Sequence, residues 1–481
     1  MSFQTRPSTL GLSILCCALL VGSAVPALAD PGPVLPGKLL SAEDLGVYGE
    51  TFELPVALQN TLRSAELGQA MTLEGFPVAP GIRHRVRLER WDVYAPGAQV
   101  RVVDHGVERI APRTSRLHFL GRGIDDPTLR VGFSVAADGG DLRGVVQGRD
   151  GLYDLLAPDA GTPGVHTMRM AGMEELLAGQ ALTSSCGNQH LSQEAQRGEP
   201  SFEPFANAPW IPTALDPAPS AVATKGAALP DHTATVAVDA DSELLSARFS
   251  NNTTNAADWI ADLFTAMNVM YERDLSVRLL QGETFLRTGS DPYSNSDFPA
   301  STASLNEFGN YWSATYGNID RVFAMLLSAG QSNSSSGIAW LDGYCEYQNS
   351  GGGYSINRVF TFNFGASSDA RLVAHELGHN AGSSHTHCYS PPVDTCFAAE
   401  PGCYSGGTSC PGAGNGTIMS YCNFSSGCGT SNRLEFHPTV ISNLNNFVSL
   451  HATSCLGGPP NEIFSDGFES GDTLGWVSTV D

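Results

Sequence analysis

Residues 367–387 read SSDARLVAHELGHNAGSSHTH and contain the pattern H-E-x-x-H-x-x-G-x-x-H. In a helix, His375 and His379 lie four residues apart on one face, where both imidazoles can bind one metal ion. Gly382 suits the left-handed turn that ends a helix, and the chain can then fold back to bring in His385. Three side chains just upstream are expected to cap the start of this helix: Ser367, Ser368 and Asp369.

The acidic residue of the pattern, Glu376, is predicted to point to a neighbouring side of the helix. There it can hold and deprotonate a metal-bound water without occupying a coordination position. Three neutral imidazoles and one water form an open tetrahedral zinc site, which is the catalytic arrangement rather than the closed structural one. A buried structural histidine cluster is the alternative, but chance seldom produces all the fixed positions of the pattern. We therefore expect one catalytic Zn²⁺, with Glu376 as general base.

Two further stretches complete a resemblance to a known family. Residues 416–421 read GTIMSY, and residues 337–345 read GIAWLDGYC. Together with the histidine pattern they resemble the metzincin zinc metallopeptidases, most closely the bacterial reprolysin-like (adamalysin-type) secreted proteases, over residues 235–455. The sequence departs from the reprolysins at Thr386, where they usually have aspartate. The M-x-Y form of the second stretch is more similar to the astacin and serralysin branches.

The resemblance implies an α/β (α+β) catalytic domain with a mixed twisted sheet and a zinc helix. It implies that Met419 lies in a tight turn beneath the metal, where a polarisable thioether packs against the imidazoles. It offers Tyr421 as an oxyanion donor or fifth ligand, with a core tyrosine as the alternative. It also implies an edge strand that binds an extended substrate as an added antiparallel strand, unless this edge is covered. That strand includes Gly337, Ile338, Ala339 and Trp340.

Composition restricts the partners and the location. The chain has 481 residues and a formal net charge of −23, which argues against nucleic acid and against a basic membrane-binding surface. Residues 1–29 resemble a secretory signal peptide, with Arg6, an apolar run over residues 10–21 and Ala-Leu-Ala at 27–29. A retained membrane anchor is the alternative, although the run is short for a span. We expect a secreted monomer without stable membrane association that acts on proteins or peptides.

Residues 30–230 are predicted to be rich in β structure. Apolar and polar residues alternate over 83–94, 99–103, 116–120, 129–135, 142–147 and 152–156. An independent β module, for instance one that binds carbohydrate, is one interpretation. We favour a propeptide that assists folding and keeps the enzyme silent. Residues 204–230 are rich in Pro and Ala and are expected to be a linker that contains the maturation cleavage.

Cysteines are concentrated in the last third of the chain. Eight lie between residues 345 and 455, an even number that implies disulfides in an exported protein. They are Cys345, Cys388, Cys396, Cys403, Cys410, Cys422, Cys428 and Cys455. Their pairing is not determined by the sequence, and an oxidising compartment disfavours the alternative of a second, cysteine-ligated metal.

With Cys16 and Cys17 of the predicted signal peptide set aside, Cys186 is the odd cysteine, just upstream of the linker. A lone thiol can ionise beside Zn²⁺ and take the fourth coordination position. Its position and the following Gly187 resemble the cysteine switch of several metzincin propeptides. An intermolecular or incidental thiol is the alternative.

The catalytic part is predicted to alternate strands and helices. We expect a strand over 233–239, a long helix over 255–274, strands over 276–280 and 321–327, a helix or loop over 301–316 and a closing helix over 439–450. The expected divisions are a signal peptide over 1–29, a β-rich propeptide over 30–230, a catalytic domain over 231–456 and an acidic tail over 457–481.

By resemblance, the chain is expected to be a secreted zinc metalloendopeptidase made as a zymogen. The alternatives are an inactive metzincin-like binding or adhesion module and a maturation protease of narrow specificity. Cleavage preference and any Ca²⁺ site cannot be predicted from the sequence.

Overall fold

A computed structural model describes residues 37–39, 49–158, 164–171, 183–186, 229–294, 298–347, 350–411, 416–423 and 432–460. The predicted signal peptide, the linker up to residue 228, Cys428 and tail residues 461–481 lie outside these ranges. Within them, none of the helices combines the length and apolar character that crossing a bilayer requires.

Residues 37–39, 49–158 and 164–171, which we call the N-terminal module, form a nine-stranded antiparallel sheet and one helix. The order of strands is β1-β2-β11-β10-β9-β8-β7-β4-β3. The bounds are β1 Gly37–Leu39, β2 Gly49–Glu53, β3 Ala70–Ala79, β4 Ile82–Trp91, β7 Leu117–Gly123, β8 Arg130–Val135, β9 Leu142–Gly148, β10 Gly151–Leu156 and β11 Val165–Met170, with helix α1 at Val56–Ser64. The predicted β-rich character is confirmed here, whereas β1, β2, β3, β11 and α1 were not predicted.

A second sheet of eight strands has the order β12-β16-β17-β15-β13-β14-β5-β6. The bounds are β5 Val100–Asp104, β6 Val107–Ala111, β12 Thr183–Cys186, β13 His232–Ala240, β14 Val277–Thr288, β15 Phe323–Ala329, β16 Ser334–Ala339 and β17 Tyr354–Val359. Strand β13 pairs in parallel with β14 and β15, while β16 is antiparallel to β17. The predicted mixed sheet is therefore confirmed.

Among the described residues, five α-helices accompany this sheet. They are α2 Ser242–Phe249, α3 Thr253–Leu275, α4 Thr302–Tyr316, α5 Ala366–Asn380 and α6 Pro438–His451. The predicted helical segments are confirmed, whereas α2 was not predicted. Helix α3 begins where the Asn252 side chain accepts a hydrogen bond from the Asn255 N–H, and it ends at Ser276 in the left-handed conformation. Helix α5 carries the histidine pattern.

The interpretation of residues 30–230 as an independent β module is wrong. The hairpin β5–β6 adds to the second sheet, where Val100 to Asp104 pair in parallel with Thr284 to Thr288 of β14. One hydrophobic core contains Trp91 and Val93 together with residues of β13 and α3. The two parts of the chain therefore share a sheet and a core across residue 230.

Helix α3 lies between the two sheets. On its module side, Asp262 accepts a hydrogen bond from Ser134 and lies 3.6 Å from the Arg116 guanidinium. The Nδ1 atom of His118 lies 2.8 Å from the Thr265 hydroxyl. These polar contacts join strands β7 and β8 to the middle of the helix.

The start of α5 differs from the prediction that Ser367, Ser368 or Asp369 caps it. Gly365 occupies the cap position, at φ +121, and provides no side-chain cap. Asp154 of β10 instead accepts hydrogen bonds from the Ser367 N–H and hydroxyl, both at 2.8 Å. A Cβ at Gly365 would lie 2.5 Å from the Asp154 carboxylate, so this close approach requires glycine. The cap of α5 is therefore contributed by the N-terminal module.

Asp369 has another role. Its carboxylate lies 2.6 Å from the Arg248 guanidinium of α2 and accepts a hydrogen bond from the Trp259 indole of α3 at 3.0 Å. Both charged side chains of this ion pair are buried. The contacts of Asp369 join the first turn of α5 to the two neighbouring helices α2 and α3.

We expect His118 to make stability depend on pH. Burial, with the nearby Arg116 charge, lowers the pKa of His118 to about 3, against about 6.5 in an unfolded chain. Between these values the unfolded chain binds the extra proton, so the free energy of unfolding falls as pH drops from 6.5 toward 3. This group should make the chain about 2 kcal/mol less stable at pH 5 than at pH 8.

Urea unfolding of the wild type and of His118→Gln at both pH values measures this contribution. Because other titrating groups are common to both proteins, the pH dependence of the variant should be smaller by that amount. An equal pH dependence in the two proteins would contradict the assignment.

Candidate metal centre

The structure brings the three predicted histidines together. His375 and His379 lie on one face of α5, and their Nε2 atoms are 3.1 Å apart. The chain reverses after α5 at Gly382, which has φ +102, and returns the Nε2 atom of His385 to 3.1 Å from that of His379. The left-handed turn predicted at this glycine is confirmed, and all three imidazoles are buried.

The hydrogen bonds of the three rings show that they fit a metal ion. Each Nδ1 atom has an oxygen acceptor: Ile418 O for His375 at 2.6 Å, Ser383 O for His379 at 2.7 Å and Glu400 Oε2 for His385 at 2.8 Å. A neutral imidazole has a single N–H, so donation from Nδ1 leaves a lone pair on Nε2. These lone pairs face one another and cannot form hydrogen bonds among themselves. Their spacing is close to the roughly 3.3 Å between two nitrogens that bind one tetrahedral Zn²⁺ at about 2.0–2.1 Å.

The electrostatics of the pocket favour neutral rings. Burial lowers the pKa of His375 to about 3 and lowers the pKa values of His379 and His385 as well. Imidazoles bind metals only in the neutral form. The cluster is therefore in the protonation state of a ligand set at neutral pH.

Glu376 lies beside this cluster. It is buried, and burial raises the pKa of its carboxyl well above the usual range. Its Oε1 atom has no hydrogen-bond partner among the described residues. A Cβ at Gly337 of β16 would overlap this carboxylate, so the strand can pass next to Glu376 only with glycine at that position. The arrangement leaves an unpaired carboxylate oxygen at the site.

Cys186 also reaches the cluster. Its Sγ atom lies 3.7 Å from the Nε2 atom of His379 and 3.7 Å from Oε2 of Glu376. The sulfur and the ligand nitrogens of the three histidines all lie within 4.8 Å of one another. The thiol is buried and is not part of a disulfide. The four groups are close enough to bind one ion.

The predicted substrate strand is covered on its outer side. Strand β16 spans Ser334–Ala339, so Gly337, Ile338 and Ala339 lie in it, whereas the assignment of Trp340 to the strand is wrong. Its edge pairs in parallel with β12, and Cys186 lies opposite Gly337 in this register. A segment that precedes the linker therefore occupies the edge at which a substrate strand was expected.

The turn at Met419 lies beneath α5. A Cβ at Gly378 would approach the Met419 sulfur to 2.5 Å, so the thioether packs directly against this turn of the helix. Thr386, which stands where reprolysins have aspartate, donates from its N–H at 3.0 Å and from its hydroxyl at 3.2 Å to the Met419 carbonyl. This threonine thus joins the segment after His385 to the turn.

Tyr421 is buried next to the cluster. Its ring centroid lies 4.2 Å from that of His385, and its hydroxyl donates a hydrogen bond to the Cys186 carbonyl at 3.4 Å. Burial raises the pKa of Tyr421 well above its usual value, so the phenol stays protonated. The hydroxyl is therefore a hydrogen-bond donor at the metal site.

Glu400 was not predicted from the sequence. Its Oε2 atom accepts from His385 Nδ1 at 2.8 Å and from His387 Nε2 at 2.9 Å. Burial opposes ionisation of Glu400, but the two histidines hold its pKa well below the usual range. The His387 side chain is buried, and its contact with Glu400 holds it in the interior. No short-range pattern connects Glu400 with His385.

The predicted disulfides are confirmed for the described cysteines. The pairs are Cys345–Cys455, Cys388–Cys403 and Cys396–Cys422, and Cys410 is also disulfide-bonded. Cys396 and Cys422 lie close to Asp394 in a group that has the residue types of a metal site, but oxidation removes both thiolates as ligands. The described residues therefore give no support to a second, cysteine-ligated metal.

We expect Glu400→Ala to weaken metal binding by about 10- to 100-fold, because a carboxylate that orients a ligating histidine typically contributes this much. Competition of the full chain with a chromophoric chelator measures the affinity. Glu400→Gln keeps an acceptor oxygen and should lose less. Glu66→Gln, an exposed residue of the N-terminal module, is the matched control and should bind like the wild type. Equal affinities for Glu400→Ala and the control would contradict the orienting role.

Comparison with known proteins agrees with this geometry. Residues 231–433 match the family model Reprolysin_5, described as metallo-peptidase family M12. No curated protein sequence matches the chain. The matched segment contains α5, the three histidines, Glu400 and Met419. The similarity of residues 231–433 to this family supports a metzincin-type zinc metallopeptidase, as the histidine pattern predicted.

Proposed function

We propose that this chain is a secreted zinc-dependent metalloendopeptidase, made as a zymogen, that hydrolyses internal peptide bonds. The observation that carries the proposal is the convergence of three imidazole lone pairs beside an unpaired carboxylate oxygen of Glu376. The disulfides lie in the predicted catalytic domain, residues 231–456, which we call the catalytic half, and they support an oxidising compartment. The resemblance of residues 1–29 to a signal peptide supports export.

His375, His379 and His385 would hold the Zn²⁺. When bound, the ion supplies a Lewis acid that polarises the scissile carbonyl and lowers the pKa of a water toward about 7. Glu376 takes the proton of the attacking water and passes it to the leaving amine. The Tyr421 hydroxyl would donate to the developing oxyanion, and its hydrogen bond to the Cys186 carbonyl supports this role.

We propose that substrate binds along β16 as an added strand. The backbone of this strand accepts an extended segment, since β12 pairs with it over four residues. β12 runs parallel to β16, whereas the expected substrate would run antiparallel. The inhibitory segment therefore occupies the cleft in the reverse direction to a substrate.

In this proposal, Cys186 keeps the uncut chain enzymatically inactive. Its thiol would ionise beside a bound metal ion and would take the position that the attacking water needs. The distance of 3.7 Å from its sulfur to both His379 and Glu376 supports this role. Maturation must remove the sulfur from the site before hydrolysis begins.

We expect Glu376→Gln to bind zinc like the wild type and to lose nearly all hydrolysis of casein after maturation, because the amide cannot accept the water's proton. General-base contributions of 10²–10⁴-fold set the scale of the loss. Zinc content and casein cleavage are measured on the same preparations, with and without a chelator. Substantial turnover by the variant, or chelator-resistant cleavage by the wild type, would contradict the mechanism.

We expect Cys186→Ala to raise the initial rate of peptide hydrolysis by the uncut chain at least tenfold, because the position that the attacking water needs would become accessible and β12, without its sulfur contact to the site, would bind β16 more weakly. A fluorogenic peptide reports the rate, and gel electrophoresis verifies that the chain is still intact. Ser185→Ala, in the preceding residue of the same strand, is the control and should leave the chain silent. An unchanged rate for Cys186→Ala would exclude the thiol as inhibitor.

A further inference from the structure

We propose that the N-terminal module is a permanent part of the active enzyme, and that β12 alone is the inhibitory element. The inference rests on the proposed zymogen function and narrows it, since a propeptide over residues 30–230 would leave as one piece. Three groups of contacts attach the module to the catalytic half. Among the described residues, β12 is attached by its pairing with β16 and by the contacts of Cys186 at the metal site.

The first group is the shared sheet. β14 has neighbours on both sides, β13 within the catalytic half and β5 from the module. The Glu283 carboxylate of β14 accepts from the Gln99 N–H and the Arg101 guanidinium, both at 3.0 Å. The backbone of Gln281 exchanges two hydrogen bonds of 2.8 Å with Val93 and Ala95. Loss of the module would expose β14 as a long unpaired edge, which soluble proteins avoid.

The second group surrounds α3. Every residue from 260 to 271 is buried, which covers the whole circumference of the helix over three turns. A helix that packs on a single sheet would be buried on one side only. The opposite side of α3 packs against β7, β8 and β9, where Gly132 touches the Thr265 carbonyl and Val269. Removal of the module would therefore expose apolar side chains of the catalytic core.

The third group fixes the helix that carries the metal ligands. Asp154 accepts two hydrogen bonds from Ser367 in the first turn of α5. Next to it, the Arg169 guanidinium donates to the Phe364 carbonyl at 2.5 Å. A carboxylate at this end of a helix satisfies N–H groups that lack partners within the helix and interacts favourably with its dipole. A residue of the module thus stabilises the helix that carries His375, Glu376 and His379.

The contacts of β12 differ from those of the N-terminal module, because β12 is a short strand at one edge of the second sheet. It is a strand of four residues at the opposite end of the second sheet from β5 and β6, and its sheet neighbour is β16. Residues 172–182 connect it to the module, and residues 187–228 connect it to the catalytic half. If the module stays bound, one cut after β12 leaves this strand tethered beside its site at a high effective concentration. Release of β12 then requires a second cut, before it.

Two variants with inserted recognition sites for a sequence-specific protease test this proposal. One has a single site within residues 204–228, and the other has a further site within residues 172–182. In the Glu376→Gln background, which prevents self-digestion, the doubly cut chain is analysed by gel filtration and mass spectrometry. We expect the N-terminal and catalytic fragments to elute as one species and to separate only in denaturant, with the β12 peptide absent from the complex. Separate elution of a folded, metal-binding catalytic fragment would overturn the proposal.

The same two cuts in the active chain test which element inhibits. We expect peptide hydrolysis to stay low after the single cut and to rise at least tenfold after the second, with the module still bound. Hydrolysis that rises only when the module dissociates would overturn the proposal. Co-elution without any hydrolysis would support retention of the module while contradicting the proposed protease function.

A matched pair of glycine variants tests the interface at α3. A Cβ at Gly132 would lie 2.7 Å from the Thr265 carbonyl, whereas one at Gly140 would meet only the Asp138 side chain, at 3.4 Å or more. We expect doubly cut Gly132→Ala to dissociate at a protein concentration at least tenfold higher than the parent, and Gly140→Ala to behave like the parent. Equal dissociation of both variants would count against this interface as the attachment.

Discussion

The site depends on which ring nitrogen of each imidazole carries the N–H group and donates a hydrogen bond. Each ring donates from Nδ1 to an oxygen outside the cluster, so the three Nε2 lone pairs point inward at one another. The acceptors come from three segments: the turn containing Ile418, the reversal at Ser383 and the disulfide-linked loop that carries Glu400. The loops around the helix are therefore part of the metal site: the reversal after the helix carries His385, and all three segments supply acceptor oxygens. Their oxygens select the tautomer that a metal ion needs.

The position of α5 is fixed from both halves of the chain. The Tyr271 hydroxyl of α3 donates to the Ala374 carbonyl at 3.0 Å, next to the first histidine. At the end of the helix, the Asn380 amide donates to the carbonyls of Trp340 and Tyr354. The first turn is held by Asp154, from the N-terminal module. Because hydrogen bonds hold the start, middle and end of α5, the ligands are positioned by packing that already exists in the uncut chain.

The sequence predicted what is encoded locally and missed what depends on distant partners. The spacing of His375 and His379 and the helical period of α3 are properties of consecutive residues, so both predictions were confirmed. Alternation over residues 99–103 identified a strand but could not identify β14 as its neighbour, because a period of two does not specify a partner. Asp154 and Glu400 act far along the chain from the residues they hold, and no motif connects them. The caps predicted for α5 failed for the same reason, since a local serine was a plausible acceptor.

In the proposed mechanism, the three histidines and Glu376 have the same arrangement in the inhibited chain and in the active enzyme. Gly337 has no Cβ, which leaves room for the Glu376 carboxylate beside β16, and the same glycine lies opposite Cys186 in the register of β12. The thiol is consequently equidistant, at 3.7 Å, from the proposed base and from a proposed ligand. A group in that place blocks the water without moving either residue. Because the three histidines already converge while the thiol is present, activation needs the removal of β12 and no rebuilding of the site.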